Sequence, residues 1–294
     1  MKRITKPNFI IIGAMKAATT SLYIYLKQHP DVFMTTIKEP KFFNNFGKDS
    51  DFKLQGKGRR KINTLKKYYS LFEDVKNEIA IGEASPSYIF DEDCPTLIKQ
   101  YLPETKIIAI LRQPVDRAYS NFLHAKKADS EEISFFEKAF EETGRKNKIH
   151  YYKEKGYYTK QLKRYYNLFP KENIKILLFD EVIKNPISAS QEIFEFLNVD
   201  SNFIPYTNQK ANVSGLPKGL VGWFVMKLRH YNLIPDIQFS KYLPQFIITF
   251  IFDAAYKKAT PLSIELKNKL TNTFYKEEIK KLEKLIDRDL SHWL

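Results

Sequence analysis

The chain has a single cysteine, Cys94, among its 294 residues, so it can form neither an internal disulfide nor a cysteine-based metal cluster. Glycine is scarce, 10 residues against 23 Phe and 18 Tyr, and that much aromatic surface excludes a disordered or low-complexity chain. Long hydrophobic runs are missing as well. The apolar stretch 9–13 behind Met1-Lys2-Arg3 imitates a secretory signal, but it is short and Lys16 breaks its continuation. Residues 246–252 are strongly apolar yet end at Asp253, well short of a membrane-spanning length. They read as a core helix or as a shallow peripheral membrane contact. Acidic residues are in deficit: 34 Asp and Glu against 48 Lys and Arg leave a formal charge of +14. That balance suits anionic partners, or is a solvated lysine-rich surface. The densest basic run, Lys57-Gly58-Arg59-Arg60-Lys61, carries no interleaved aromatics and so lacks a stacking platform for nucleic acid. A soluble, cytoplasmic protein with no nucleic-acid partner is the expectation.

The chemistry-bearing residues concentrate near the start, in Phe9-Ile10-Ile11-Ile12-Gly13-Ala14-Met15-Lys16-Ala17-Ala18-Thr19-Thr20-Ser21-Leu22. A β-rich apolar run ends at Gly13, a short loop comes next, and a helix opens on three hydroxyl residues. Strand, loop and helix in that order aim backbone N–H groups and the positive helix end at one point. Lys16 adds a cation, and Thr19, Thr20 and Ser21 add hydroxyls, which together make a cradle for a phosphate-like anion. The loop is not a Walker A loop, which needs a second Gly directly before the Lys; here Ala17-Ala18 come after Lys16.

Further along, Lys38-Glu39-Pro40-Lys41-Phe42-Phe43 holds a carboxylate extended before a proline. The Phe pair shelters it, which raises its pKa and suits Glu39 to general-base work. A buried strand over 79–83 runs into Ala84-Ser85-Pro86-Ser87-Tyr88, and strand ends of this kind line the ligand crevice of open α/β sheets. The clearest buried strand, 106–111, leads into Arg112-Gln113-Pro114-Val115-Asp116-Arg117-Ala118-Tyr119-Ser120. Pro114 suits the first turn of a helix, and Arg112 and Ser120 can converge on one anion as a guanidinium fork and a hydroxyl. Helices are expected over 65–72, 94–102, 131–143 and from Gly156 to about 169, a strand over 174–179, and a helix after Pro186. Residues 212–219 read as a turn-rich loop, and the pattern from Leu220 onward is helical. Strands alternating with helices imply an α/β fold, a P-loop-like, mostly parallel sheet flanked by helices. It forms a single domain over 1–294, with an α/β nucleotide-binding core (1–215) and a helical C-terminal extension (216–294).

Three of these strings, in this order, resemble the sulfotransferases that use 3′-phosphoadenosine 5′-phosphosulfate (PAPS), the bacterial and heparan-sulfate branch in particular. The first loop is similar to the family's Lys-x-Gly-Thr-Thr-Ser/Ala-Leu, with Ala18 in place of the Gly, a substitution that calls for a negative φ. Lys-Glu-Pro-x-Phe-Phe matches at Lys38 to Phe43, and Arg-x-Pro-x-x-Arg-x-x-Ser at Arg112 to Ser120. The resemblance implies PAPS as donor, 3′,5′-ADP (PAP) as product, no metal, and an acceptor hydroxyl or amine, with a carbohydrate or glycolipid expected. It implies that Glu39 is the base and that Lys16 neutralises the leaving oxygen. Lys16, Ala17, Ala18, Thr19, Thr20 and Ser21 would hold the 5′-phosphate, and Arg112 and Ser120 the 3′-phosphate. Weaker matches bring in Tyr158, from a Gly-x-Tyr-x-x-x-Leu segment, and Lys218 and Gly219, from an Asn-x-Ser-Gly-x-Pro-Lys stretch, as nucleotide contacts. Ser85 and Tyr88, from a Glu-x-Ser-Pro-x-Tyr element that has Ala84 where a Lys is usual, and Lys38 are implied on the acceptor side. A P-loop small-molecule kinase, a basic nucleic-acid-binding protein and a non-catalytic nucleotide-binding relative stay open as alternatives.

Overall fold

The apolar strings of the sequence become the middle of a five-stranded parallel sheet. The structure, a computed structural model, describes residues 4–48, 62–127, 135–142, 151–207, 215–217, 256–258 and 260–294. Strand β1 (Phe9–Gly13) is followed by helix α1 (Thr19–Leu26), β2 (Val32–Met34), the short helices α2 (Phe42–Asn45) and α3 (Leu65–Tyr69), then β3 (Ala80–Ala84). Helix α4 (Cys94–Tyr101) and β4 (Lys106–Leu111) come next. The sheet closes with β5 (Ile174–Leu178), and its order is β2-β3-β1-β4-β5. Neighbouring strands in it pair in parallel throughout. A parallel sheet is covered on both faces, so its strands read as continuous apolar runs rather than alternating ones. Phe9 to Ile12 and Ile107 to Leu111 are accordingly fully buried. Gly13 is required by contact: a Cβ there would lie 2.4 Å from Ile89 Cγ2.

The order of the strands places the site. β1 and β4 are neighbours at the centre, yet the chain leaving β1 goes to β2 at one edge and β5, at the other edge, follows β4. Loops at the carboxyl ends of two such strands diverge and leave a crevice between them. The loops that open it are residues 14–18 and the turn at Arg112.

Two compact units are formed. The first comprises Met1–Gln113, Tyr157–Ala211 and Lys276–Leu294, the second Pro114–Gly156 and Asn212–Tyr275. The first holds the sheet, α1 to α4, and later helices at Tyr158–Tyr166, Phe179–Lys184, Pro186–Leu197 and Lys276–Ile286. In it the Gln113 side chain donates to the Trp293 carbonyl at 3.2 Å. The second unit is built on α5 (Pro114–Lys127), α6 (Phe136–Glu141) and a helix at Ile264–Leu270. Phe122, Phe136, Phe140, Tyr152 and Tyr275 form its aromatic core, and the Lys267–Asp116 ion pair at 2.7 Å ties the last of those helices to α5.

Several expectations change. By contact the helix Lys276–Ile286 groups with the sheet. Gly215–Pro217, expected as loop, pairs antiparallel with Tyr256–Lys258; three residues are too few to show a strand period in sequence. The basic run 57–61, the apolar run 246–252, and Lys218 and Gly219 lie outside the described residues. No helix among the described residues is long and apolar enough to cross a membrane.

Candidate active site

The loop after β1 is held from three sides. Ala14 N–H donates to Ile110 O on β4 at 2.7 Å, and Ala17 N–H returns to Ala14 O at 3.2 Å. The Arg112 guanidinium donates to Lys16 O at 3.1 Å. Lys16 and Ala18 both sit in the left-handed region, at φ 68 and 64, and residues turned this way aim successive N–H groups into a concavity. Ala18 therefore takes the backbone a Gly would take, not the negative φ expected of it. For an L-residue this costs roughly 1–2 kcal/mol. Ala18 is also the N-cap of α1 and supplies no side-chain cap. The first-turn amides of Thr19, Thr20 and Ser21 thus have no protein acceptor among the described residues, and the first turn holds no acidic residue. Unfilled donors at a positive helix end make an anion site.

Arg112 stands at the end of β4 beside this loop. Its guanidinium lies over the Phe179 ring, 4.2 Å from the centroid, and its carbonyl accepts from the Tyr158 hydroxyl at 2.9 Å. A planar, permanently charged group fixed by stacking is pre-organised for a phosphate. Tyr158 itself is fully buried. Expected against the nucleotide, it instead secures the backbone of Arg112. Ser120 lies on α5, in the second unit.

Glu39 follows β2 and is half-buried, with a side-chain accessibility of 34%. Its carboxylate pairs with Lys38 Nζ at 3.0 Å and Lys41 Nζ at 3.3 Å. Burial pushes its pKa up, but the charges and hydrogen bonds of the two lysines together outweigh it, and the carboxyl is held below its ordinary value. This corrects the expected rise: the flanking charges, not the Phe pair, set its environment. Glu39 and Lys41 both have left-handed φ, 57 and 52. Three hydrogen bonds fix that turn to the end of β3. Glu39 N–H donates to Ala84 O at 3.1 Å, Lys41 N–H to Ser85 Oγ at 3.0 Å, and Phe43 N–H to Tyr88 Oη at 3.3 Å.

The group that Phe42 and Phe43 do help enclose is Glu83, on β3. It is fully buried, and Ser85 Oγ donates to it at 2.8 Å and Tyr68 Oη at 3.3 Å. Tyr68 stacks on Phe42 at 4.3 Å and meets Phe43 edge-on at 5.4 Å. Burial pushes the Glu83 carboxyl up to about 7, against hydrogen bonds from Ser85, Tyr88 and Tyr68 that favour the ion. Ser85 and Tyr88, expected to face the acceptor, are fully buried, with their hydroxyl oxygens occupied by the amides of Lys41 and Phe43.

Sequence reasoning passes over Lys41 and the enclosure of Glu83. The signal for Glu83 is present, a carboxylate inside an otherwise apolar buried strand. Its Tyr68 partner, 15 residues upstream, carries no such mark.

The sulfotransferase domain model matches residues 6–212. The membrane-associated sulfotransferase kil1 of Dictyostelium discoideum is 32% identical over 121 residues, 41% of this chain and 23% of that protein. The human bifunctional heparan sulfate N-deacetylase/N-sulfotransferase 3 is 25% identical over 205 residues, 66% of this chain and 22% of that protein. The chain thus spans about a quarter of the length of these relatives. The crystal structure of a sulfotransferase from Alicyclobacillus acidocaldarius superposes with a TM-score of 0.73, at 28% identity, and each chain covers 99% of the other. With a family match across most of its length, the chain belongs to the sulfotransferase domain family.

Proposed function

We propose that the protein transfers a sulfuryl group from PAPS to a hydroxyl or amine of a carbohydrate-type acceptor. One observation carries the reading. The unfilled amides and hydroxyls opening α1 converge with a stacked, permanently charged Arg112 at the crevice of a sulfotransferase-family sheet. That donor set fits a nucleotide with separate 5′ and 3′ anionic groups.

Bound PAPS supplies the sulfuryl group. The amide of Ala18 and the amides and hydroxyls of Thr19, Thr20 and Ser21 hold the 5′-phosphate, in a loop that Lys16 and Ala17 shape. Arg112 and Ser120 take the 3′-phosphate, with Lys218 and Gly219 assigned beside it, so that ATP is excluded. Glu39, ionised at neutral pH, removes the acceptor proton as the acceptor's new bond to sulfur forms. The sulfur–oxygen bond to the 5′-phosphate breaks in line, and Lys16 neutralises the charge left on that oxygen. Lys38 then lies beside both the base and the acceptor. The carbohydrate class rests on relatives such as the heparan sulfate enzyme and on the positive charge of this chain. The single cysteine, buried and unbridged, suits a reducing compartment, and the cytoplasm is the proposed location.

Calorimetric binding of 3′,5′-ADP against 5′-AMP and magnesium-ATP tests the donor site. Strong preference for 3′,5′-ADP, lost in Arg112→Ala, is expected. Tighter binding of magnesium-ATP overturns the reading in favour of a kinase.

A further inference from the structure

Glu83 is a buried carboxylate, yet it lies one hydroxyl behind the turn that presents Glu39. Ser85 has one hydroxyl proton and gives it to Glu83 Oε2 at 2.8 Å. Its oxygen is left to accept, and it accepts from Lys41 N–H at 3.0 Å. Tyr88 stands beside the same carboxylate and favours its ionised form, and its oxygen accepts from Phe43 N–H at 3.3 Å. A hydroxyl offers one donor, so the direction of each relay is set by the group that takes its proton. The two amides so held flank a turn in which Glu39 and Lys41, neither of them glycine, adopt left-handed φ. Such a conformation persists only where its surroundings over-determine it.

We infer that Glu83 is a positioning residue for the transfer reaction: by accepting from the Ser85 hydroxyl and orienting that of Tyr88, its carboxylate fixes the Lys41 and Phe43 amides and, through them, the aim of Glu39. The role deepens the sulfotransferase reading and rests on it for its catalytic consequence.

The groups facing Glu83 are three hydroxyls, Ser85 and Tyr88 from its own strand end and Tyr68 from α3. Glu39 acts on it from the segment after β2, and Cys94 of α4 and Tyr165 feel its charge from farther off. Three hydroxyl protons converging on the ion are mutually compatible. The acid brings a fourth proton into the cluster, so one hydroxyl must turn, and the amide relays weaken. Glu39, held low by its lysines, stays ionised across the same range. Near-neutral titration of this corner therefore belongs to Glu83, whose carboxyl burial pushes up to about 7.

The experiment tracks the amide shifts of Lys41 and Phe43 with pH in the full chain, alongside kcat and the affinity for 3′,5′-ADP. Both amides are expected to move through one inflection near neutrality, and kcat to rise with pH through the same inflection. Affinity for 3′,5′-ADP should change less than twofold. Glu83→Gln should remove the inflection from both amides and lower kcat tenfold or more at every pH. Tyr68→Phe deletes a hydrogen bond to the ion but touches neither amide, so it should move the inflection to higher pH while keeping the plateau within twofold. The inference is overturned by amides that do not titrate, by an inflection that survives Glu83→Gln, or by one that Tyr68→Phe leaves in place. The amide readout needs no turnover, so a protein whose amides titrate as described but which transfers no sulfuryl group overturns the function and leaves the positioning role standing.

Discussion

Two loops of the sheet-bearing unit share a backbone device and differ in what holds it. The loop after β1 and the segment after β2 each put two non-glycine residues, two apart, into left-handed φ directly before a helix: Lys16 and Ala18, then Glu39 and Lys41. Each pair costs roughly 2–4 kcal/mol of backbone strain. The first loop is tethered by main-chain bonds and by Arg112, groups that do not titrate in the physiological range. The second hangs from Ser85 and Tyr88 in front of a carboxylate at the edge of ionisation. Donor binding should therefore be indifferent to pH around neutrality, while presentation of the base should not be.

The comparison breaks most completely at Glu39. Glu39→Gln removes the base and leaves the anion loop intact, so kcat should fall by about 10²–10⁴ with an unchanged dissociation constant for 3′,5′-ADP. Full activity in that variant assigns the base elsewhere.

Next comes the stability of the second loop's anchor. The folded pKa of Glu83, about 7, lies above its ordinary 4.5, so the folded state binds a proton that the unfolded state releases first. Its contribution is fully present below about pH 4.5 and is lost as pH rises through about 7. The loss amounts to about 3 kcal/mol at 1.36 kcal/mol per pH unit. Urea midpoints should fall across that window in the wild type, and the difference from Glu83→Gln should isolate the slope. Stability and turnover would then run in opposite directions with pH, which no simple loosening of the fold produces.

A smaller effect is expected from Lys41→Met, which removes one of the two charges that hold Glu39 low. The ionisation of Glu39, below the inflection that Glu83 sets, should move to higher pH in the kcat/KM profile. The smallest is Ala18→Gly, which relieves the left-handed φ of the first loop. After the entropy that Gly adds to the unfolded chain, a gain of up to about 1 kcal/mol remains, measurable by denaturant titration. An equivalent gain from a Gly at a residue with ordinary φ would remove the argument for strain.

Legibility in the sequence depends on the physical basis of each feature. β4 is readable to the residue, Lys106–Leu111, because a strand buried on both faces is an uninterrupted apolar run. Helix Phe179–Lys184 is not, since six residues immediately after a strand show less than two turns of period. In the site, the residue types at Lys16, Glu39 and Arg112 announce anion and proton chemistry. The left-handed turns do not announce themselves, because Ala18, Glu39 and Lys41 are not residues that favour them. The pKa of Glu39 departs from expectation for a related reason: the aromatic pair beside it in sequence packs on Tyr68 and Tyr88, while its lysine neighbours stay beside it.

The central place of β1 has a consequence for biogenesis. Its Phe-Ile-Ile-Ile run pairs with β3 and with β4, and β4 begins at Lys106, about a hundred residues later. At roughly 5–20 residues per second of synthesis, this strand waits on the order of 5–20 s for its second neighbour. Until β3 is made both its edges, and after that the edge kept for β4, can pair with the wrong chain. Yield in cells should accordingly respond to translation speed and chaperone supply more than the stability of the finished sheet would suggest.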